Sequence, residues 1–339
     1  MLKLYTPTLI VIALWISAAA QAETTLYGSL RAGVRWTDPD VTPDFFIATD
    51  ESSRFGIRGS EDLGDGLKAI YKIEYRSNLT AEPFTPTGRE RWVGLEGGFG
   101  KFRIGTVYTP FYDVLGRLDV FNGDHIFFDQ YSANSRERLG TAVIYTTPSS
   151  FQAVTGQIMG VFDGDNLRKV DFNGNGNTND PGEQASKEHL DQYSLGVNVK
   201  FGGFGGGVAY LHDEGFDQDV FGAVATFDFA GASIGVMYQQ GDYDDTGASN
   251  CFKLANAPGA GDSRYYAIEG QYTFGNNIVR GAWGRCDPDL LQEADEWALG
   301  FQHNLSKRTR LWAEYYSFDK ASNSDITTQI LSLGMRHDF

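Results

Sequence analysis

The sequence predicts an all-β chain that crosses a membrane as an antiparallel barrel of about sixteen strands. Three observations support this. Apolar and polar residues alternate with period two from Thr25 to the last residue. Beyond residue 22, no segment approaches the roughly 18 uninterrupted apolar residues of a membrane helix. Finally, Gly 41, Pro 10 and 14% aromatic residues suit many strands joined by tight turns. Glycine is costly inside helices, and aromatic side chains favour pleated surfaces.

The first 22 residues read as a secretory leader. Lys3 supplies the positive start, Leu9 through Ala20 the apolar run, and Ala20-Gln21-Ala22 a small-residue cleavage site. The mature domain is then 23–339. A mean hydropathy of −0.32 is compatible with a membrane location, because a barrel shows lipid only every second residue.

Strands are predicted near 24–37, 52–62, 67–78, 88–97, 101–109, 138–147, 151–161, 191–202, 205–214, 218–229, 232–243, 263–274, 277–287, 294–305, 308–319 and 326–339. In the first, Leu26, Leu30, Ala32, Val34 and Trp36 share one face, and Thr25, Tyr27, Ser29, Arg31 and Arg35 the other. Short turns such as Asp62-Leu63-Gly64-Asp65-Gly66 alternate with long polar stretches. That asymmetry places the turns at the periplasmic rim and the loops at the outer rim. A soluble sandwich or propeller would alternate too. Against it stand the strand lengths and the aromatic residues Trp36, Trp92, Tyr108, Trp297 and Trp312, read as interfacial belts on the apolar face.

The formal net charge is −16, one unit more negative once Lys3 leaves with the leader. An acidic chain is a poor nucleic-acid binder. The acids concentrate in loops, whereas the strands carry more than their share of arginine. An oxidising compartment permits a disulfide between Cys251 and Cys286, both at the outer side of this layout; two independent small residues are the alternative.

Several stretches resemble the Gram-negative general porins, most of all the beta-proteobacterial and neisserial branch. They are Thr25-Leu26-Tyr27-Gly28, the run from Ser53-Arg54-Phe55-Gly56 through Glu61-Asp62-Leu63-Gly64 to Ala69, Trp92-Val93-Gly94-Leu95, Gly97-Gly98-Phe99-Gly100, Tyr108-Thr109-Pro110 and the closing Leu333-Gly334-Met335-Arg336-His337-Asp338-Phe339. The resemblance covers essentially the whole mature chain. It implies a homotrimer in the outer membrane, each barrel enclosing its own pore narrowed by an inward-folded third loop. It also implies that Met335, His337 and Phe339 form a signal for the barrel-assembly machinery, and that small hydrophilic solutes and ions diffuse through without a cofactor.

By position, residues 110–137 match that loop. They carry Asp113, Asp119, Asp124 and Asp129, with Phe111, Phe121, Phe127 and Phe128 to pack against the wall. Parity turns Arg31, Arg35, Arg54, Arg58, Lys68, Lys72, Arg76, Arg89, Arg91 and Arg103 inward, and Arg136 and Arg138 lie where the loop returns. The constriction is therefore assigned to Arg54, Arg58, Arg76, Arg103, Arg136 and Arg138 facing Asp113, Asp119 and Asp124. Such charge tunes ion selectivity, here toward anions or weak preference; the same pairs could instead simply lock the loop in place. Ile104-Gly105-Thr106-Val107 stands where the branch usually has Leu-Gly-Arg-Gln, so one expected arginine is missing.

Asp171, Asn173 and Asn175, with Gly176 sixth, resemble the start of a calcium loop. The twelfth position is Gly182 rather than Glu, and an ion-free Asn/Gly-rich outer loop is the alternative. The five histidines show no metal-ligand spacing, and no nucleophile elbow appears. Besides passive diffusion, a substrate-specific channel and a receptor or adhesin using the outer loops remain open.

Overall fold

The structure, a computed structural model, describes residues 23–39, 42–123, 137–148, 153–162, 190, 192–213, 218–243, 262–289, 292–319 and 327–339. The leader assigned to residues 1–22 lies outside them. Among the described residues no helix is long and apolar enough to cross a membrane; the long elements are strands.

Among the described residues one 17-stranded antiparallel sheet contains every strand. In order these are β1 (Glu23–Asp38), β2 (Phe45–Asp50), β3 (Arg54–Gly64), β4 (Leu67–Arg76), β5 (Thr87–Gly97) and β6 (Gly100–Tyr108). Then come β7 (Arg138–Thr146), β8 (Val154–Val161), β9 (Gln192–Phe201), β10 (Phe204–Asp213), β11 (Gln218–Phe229) and β12 (Ala232–Tyr243). The last are β13 (Ser263–Phe274), β14 (Asn277–Pro288), β15 (Ala294–Asn304), β16 (Thr309–Asp319) and β17 (Thr327–Asp338). Successive strands pair, and β17 returns to β1 with Ser29 opposite Asp338 and Asp38 opposite Gln329, so the barrel closes. Closure removes the unpaired edge that hydrocarbon would penalise.

β2 and β3 form a single crossing. β2 pairs the second half of β1, Ala32 opposite Asp50, and β3 the first half, Ser29 opposite Arg54. Residues 51–53 thus face residues 30–31, a bulge in which Ser52 takes a φ of 62°. Sixteen crossings result, matching the sequence expectation, but the second begins at Phe45 rather than at residue 52. Bulges are invisible to an alternation count that assumes one residue opposite one. At the short-turn rim, Asp65 and Gly66 adopt φ of 50° and 77°, the pair of left-handed residues that matches hairpin twist.

The outward face is continuously apolar: Leu26, Val34, Val93, Ile104, Leu195, Phe221, Leu299 and Leu333 are all exposed. So large a bare surface suits lipid rather than water. Of the five belt aromatics, Trp297 is exposed on that face, and Trp36 shares its parity. The other three correct the expectation. Trp92 and Tyr108 turn inward, into contact with Arg103 and Arg89, and Trp312 is 4% exposed, beside Ser332.

Candidate functional site

The inner wall differs from side to side, and β1 and β3–β6 form its charged side. Glu74 accepts from Tyr27 Oη at 2.8 Å and from Arg89 Nε at 2.7 Å, with Lys72 Nζ at 3.6 Å. Lys72 also pairs with Glu90. Arg89 donates to Tyr108 Oη at 2.8 Å and lies 3.7 Å from Glu137, which pairs with Arg138. Arg35 pairs with the buried Glu51 at 3.2 Å. A register shift opposite Glu74 lets both Arg89 and Glu90 turn in, so Arg91, expected inward, is exposed beside Val93.

The assigned arginines separate into three places. Arg54 stands opposite Arg76 in register, and its charge is felt by Arg31. Arg138 stacks over Tyr108 at 5.3 Å, near the loop's return. Arg58 and Arg103 line a recess of about 500 Å³ toward the short-turn rim, stacked over Tyr27 at 5.0 Å and Trp92 at 5.4 Å. Arg136 and Asp124 lie outside the described residues.

The loop's described part, residues 109–123, docks elsewhere. Thr109 Oγ1 accepts from Tyr112 N at 3.1 Å and caps helix α1 (Pro110–Leu115), with Pro110 opening it and a 3-10 turn, Gly116–Leu118, following. α1 packs on β9–β11 and the 3-10 turn on β12, all at residues opposite in parity to the exposed apolar ones. Phe111, Val114, Leu115, Leu118 and Phe121 are buried against Ala209, Leu211, Val220, Val224, Met237, Tyr265, Ala298 and Tyr316. Approach is close because the wall is small there. A Cβ on Gly222 would meet Leu115 Cδ1 at 2.5 Å, and one on Gly235 would meet Leu118 Cδ2 at 2.3 Å.

Polar contacts fix both ends of this segment. Tyr112 stacks on Tyr108 with centroids 5.0 Å apart. Phe111 N donates to Ser194 Oγ at 3.2 Å, and Arg117 Nε to Asn198 Oδ1 at 3.1 Å. At the far end Glu314 accepts from Asn122 N at 2.8 Å and Gly123 N at 2.9 Å, while Arg280 approaches it at 3.3 Å. Asn122 Nδ2 also reaches Gln302 Oε1 at 2.9 Å. The sequence reading missed Glu314, Arg280, Gln302, Ser194 and Asn198. Their inward parity was legible, but nothing local told which would meet a loop up to 192 residues away in sequence.

Of the loop acids, Asp113 accepts from Gln157 Nε2 at 3.0 Å; burial pushes its carboxyl above the ordinary range, opposed by that bond and by Arg103. Asp119 is exposed and near enough to Arg31 and Glu269 to couple to both charges. Asp113 is thus brought toward Arg103, and Asp119 toward Arg31, but the assigned residues do not form one ring.

At the barrel seam, Phe339 exchanges backbone hydrogen bonds with Gly28, each 3.1 Å. Met335, His337 and Phe339 are exposed on the outward parity of β17, and His337 Nδ1 is 2.9 Å from Thr309 Oγ1. Cys286 is 2% exposed and disulfide-bonded. Cys251 lies outside the described residues, as do Asp171, Asn173 and Asn175.

The family described as Gram-negative porin matches residues 8–323. Major outer membrane protein P.IB of Neisseria meningitidis serogroup B is 26% identical over 350 residues, covering 96% of each chain. In fold, the chain resembles an anion-selective porin from Comamonas acidovorans with a TM-score of 0.76 at 20% identity, covering 94% of this chain and all of that one. It likewise resembles the outer-membrane protein OmpT of Vibrio cholerae in a trimer form, with a TM-score of 0.63 at 16% identity and coverage of 94% and 99%.

Proposed function

Because the chain belongs to the Gram-negative porin family and is a multi-pass outer-membrane pore, we propose that it passes small hydrophilic solutes with a preference for anions. The family supports a channel rather than an enzyme. The solute path runs between loop 109–123 and the charged wall of β1 and β3–β6, which together act as the eyelet.

One observation carries the anion preference. Glu51, Glu74, Glu90 and Glu137 neutralise Arg35, Lys72, Arg89 and Arg138. Arg31 and Arg54 have no carboxylate within 4.0 Å among the described residues, and Arg31 feels the charges of Arg54 and Arg336, offset in part by the more distant Asp119 and Asp338. Such local cations outweigh the distant acidic loops, since screening confines influence to about 8 Å at physiological salt. The Comamonas acidovorans structure, described as an anion-selective porin, supports the same sign.

Reversal potentials across a potassium chloride gradient in planar bilayers test this. Wild type gives an anion-selective potential, and Arg31→Gln with Arg54→Gln shifts it toward cations. A strongly cation-selective wild type overturns the proposal. We further propose a homotrimer, consistent with the trimer form of the Vibrio cholerae relative. Lipid contact at the apolar exterior and recognition of Met335, His337 and Phe339 by assembly machinery belong to the same reading.

A further inference from the structure

We propose that the recess beside the short-turn rim is a separate oxyanion station, which briefly holds a phosphate-bearing or carboxylate solute after it passes the eyelet. This rests on the reading of the chain as an open pore. The recess, about 500 Å³, is lined by Arg58, Lys72, Trp92, Lys101 and Arg103 among others. Its two lysines are already committed, Lys72 to Glu74 and Glu90 and Lys101 to Glu96. Its two arginines are not: neither Arg58 nor Arg103 has a carboxylate within 4.0 Å among the described residues. Arg103 Nε is buried without a hydrogen-bond partner.

Each guanidinium lies over an aromatic ring, Arg58 over Tyr27 at 5.0 Å and Arg103 over Trp92 at 5.4 Å, and Arg103 is coupled to the carboxylate charge of Asp113 on the loop, beyond ion-pair distance. Attraction to a ring face holds a guanidinium without committing its N–H groups to a carboxylate. Two such arginines on one recess suit a planar carboxylate or a tetrahedral phosphate, which take paired N–H donors, better than a spherical halide. The Thr25 and Ser60 residues, also in the lining, add neutral hydroxyl donors. Glu23, Glu90 and Glu96 line the recess too, the last two paired with its lysines, so they oppose tight retention; a transport site needs entry and release.

Inorganic phosphate is the probe. Single-channel conductance of the full protein, measured against concentration, saturates in potassium phosphate and stays near-linear in potassium chloride. Arg58→Gln with Arg103→Gln raises the half-saturating phosphate concentration about tenfold or more, as loss of charged hydrogen bonds implies. Tyr27→Leu with Trp92→Leu keeps both charges but frees the guanidinium groups, and it raises half-saturation several-fold. Lys200→Gln, at the same rim on β9, leaves half-saturation unchanged. Unheated gel migration confirms that each variant is a folded barrel. A linear phosphate curve with normal chloride conductance overturns the station and leaves the pore intact; silence in both salts overturns the pore itself. Unchanged half-saturation in the Tyr27/Trp92 variant overturns the stacked geometry.

Discussion

Along β1 and β3–β6 the inward positions hold Arg31, Arg35, Arg54, Arg58, Lys72 and Glu74; along β9–β12 they hold Ser194, Gly196, Gly207, Ala209, Gly222 and Gly235. The first set is long and charged; the second is small and uncharged, set among the apolar Leu211, Val220, Val224 and Met237. Loop 109–123 leaves the barrel from β6, at the end of the charged side, and docks on the small side. Its anchors there are apolar burial and close approach to glycine, and farther round the wall, on β14–β16, the cluster of Glu314, Gln302 and Arg280 holds its far end. None of those anchors is an arginine of the charged wall. Aperture and charge are thus set by different residues, and it should be possible to change one while keeping the other.

The largest test of that separation is Glu314→Ala. It removes the acceptor for Asn122 N, Gly123 N and Tyr316 Oη and strips Arg280, with a side chain only 5% exposed, of its ion pair, leaving it the hydrogen bond to Gln302. Breaking a buried ion pair costs about 3–5 kcal/mol. Thermal unfolding in detergent falls accordingly, and single-channel conductance rises or becomes noisy as the loop end detaches. The sign of the reversal potential stays that of wild type. A variant that alters selectivity and leaves conductance intact would mean the loop end sets charge and not aperture.

Gly235→Val comes next. Its Cβ would lie 2.3 Å from Leu118 Cδ2, and overpacking of this kind costs about 1–3 kcal/mol. The 3-10 turn must lift from β12, moving the loop toward the charged wall. The expected readout is a lower single-channel conductance at unchanged selectivity. Unaltered conductance with a stable barrel would show that this contact does not position the loop.

These two residues also mark where the sequence was and was not legible. The crossings, their polarity and the charged side follow from alternation, because one face of every strand must meet lipid. Trp312 shows the limit. Its strand reads Leu311-Trp312-Ala313-Glu314-Tyr315-Tyr316, with aromatic residues on both faces, and Trp312 turns inward because the neighbouring strand offers it Gly334 and Ser332 to pack on. Arg91 shows another: one bulge reversed its side. Docking of the loop depends on Gly222, Gly235 and Glu314, each unremarkable within its own strand. Long-range partners of that kind leave no local period to read.

The smallest expected effect belongs to Asp113, on the loop's docked side. Burial is the main influence on its carboxyl and raises it, with the Gln157 bond and Arg103 working against the rise. A carboxyl raised on folding favours the folded state fully below its unfolded value of about 3.9, and that contribution is lost as pH climbs through the folded value. Asp113→Asn keeps an acceptor for Gln157 and carries no charge to desolvate. The variant is therefore expected to unfold at a slightly higher temperature than wild type at neutral pH and at the same temperature under acid, both measured in detergent. The substitution removes one largely buried charge and leaves Arg31 and Arg54 in place, so the sign of the reversal potential stays that of wild type. Parallel pH profiles for the two proteins would place Asp113 in water, on the solute path, and would return it to the charged side of the comparison.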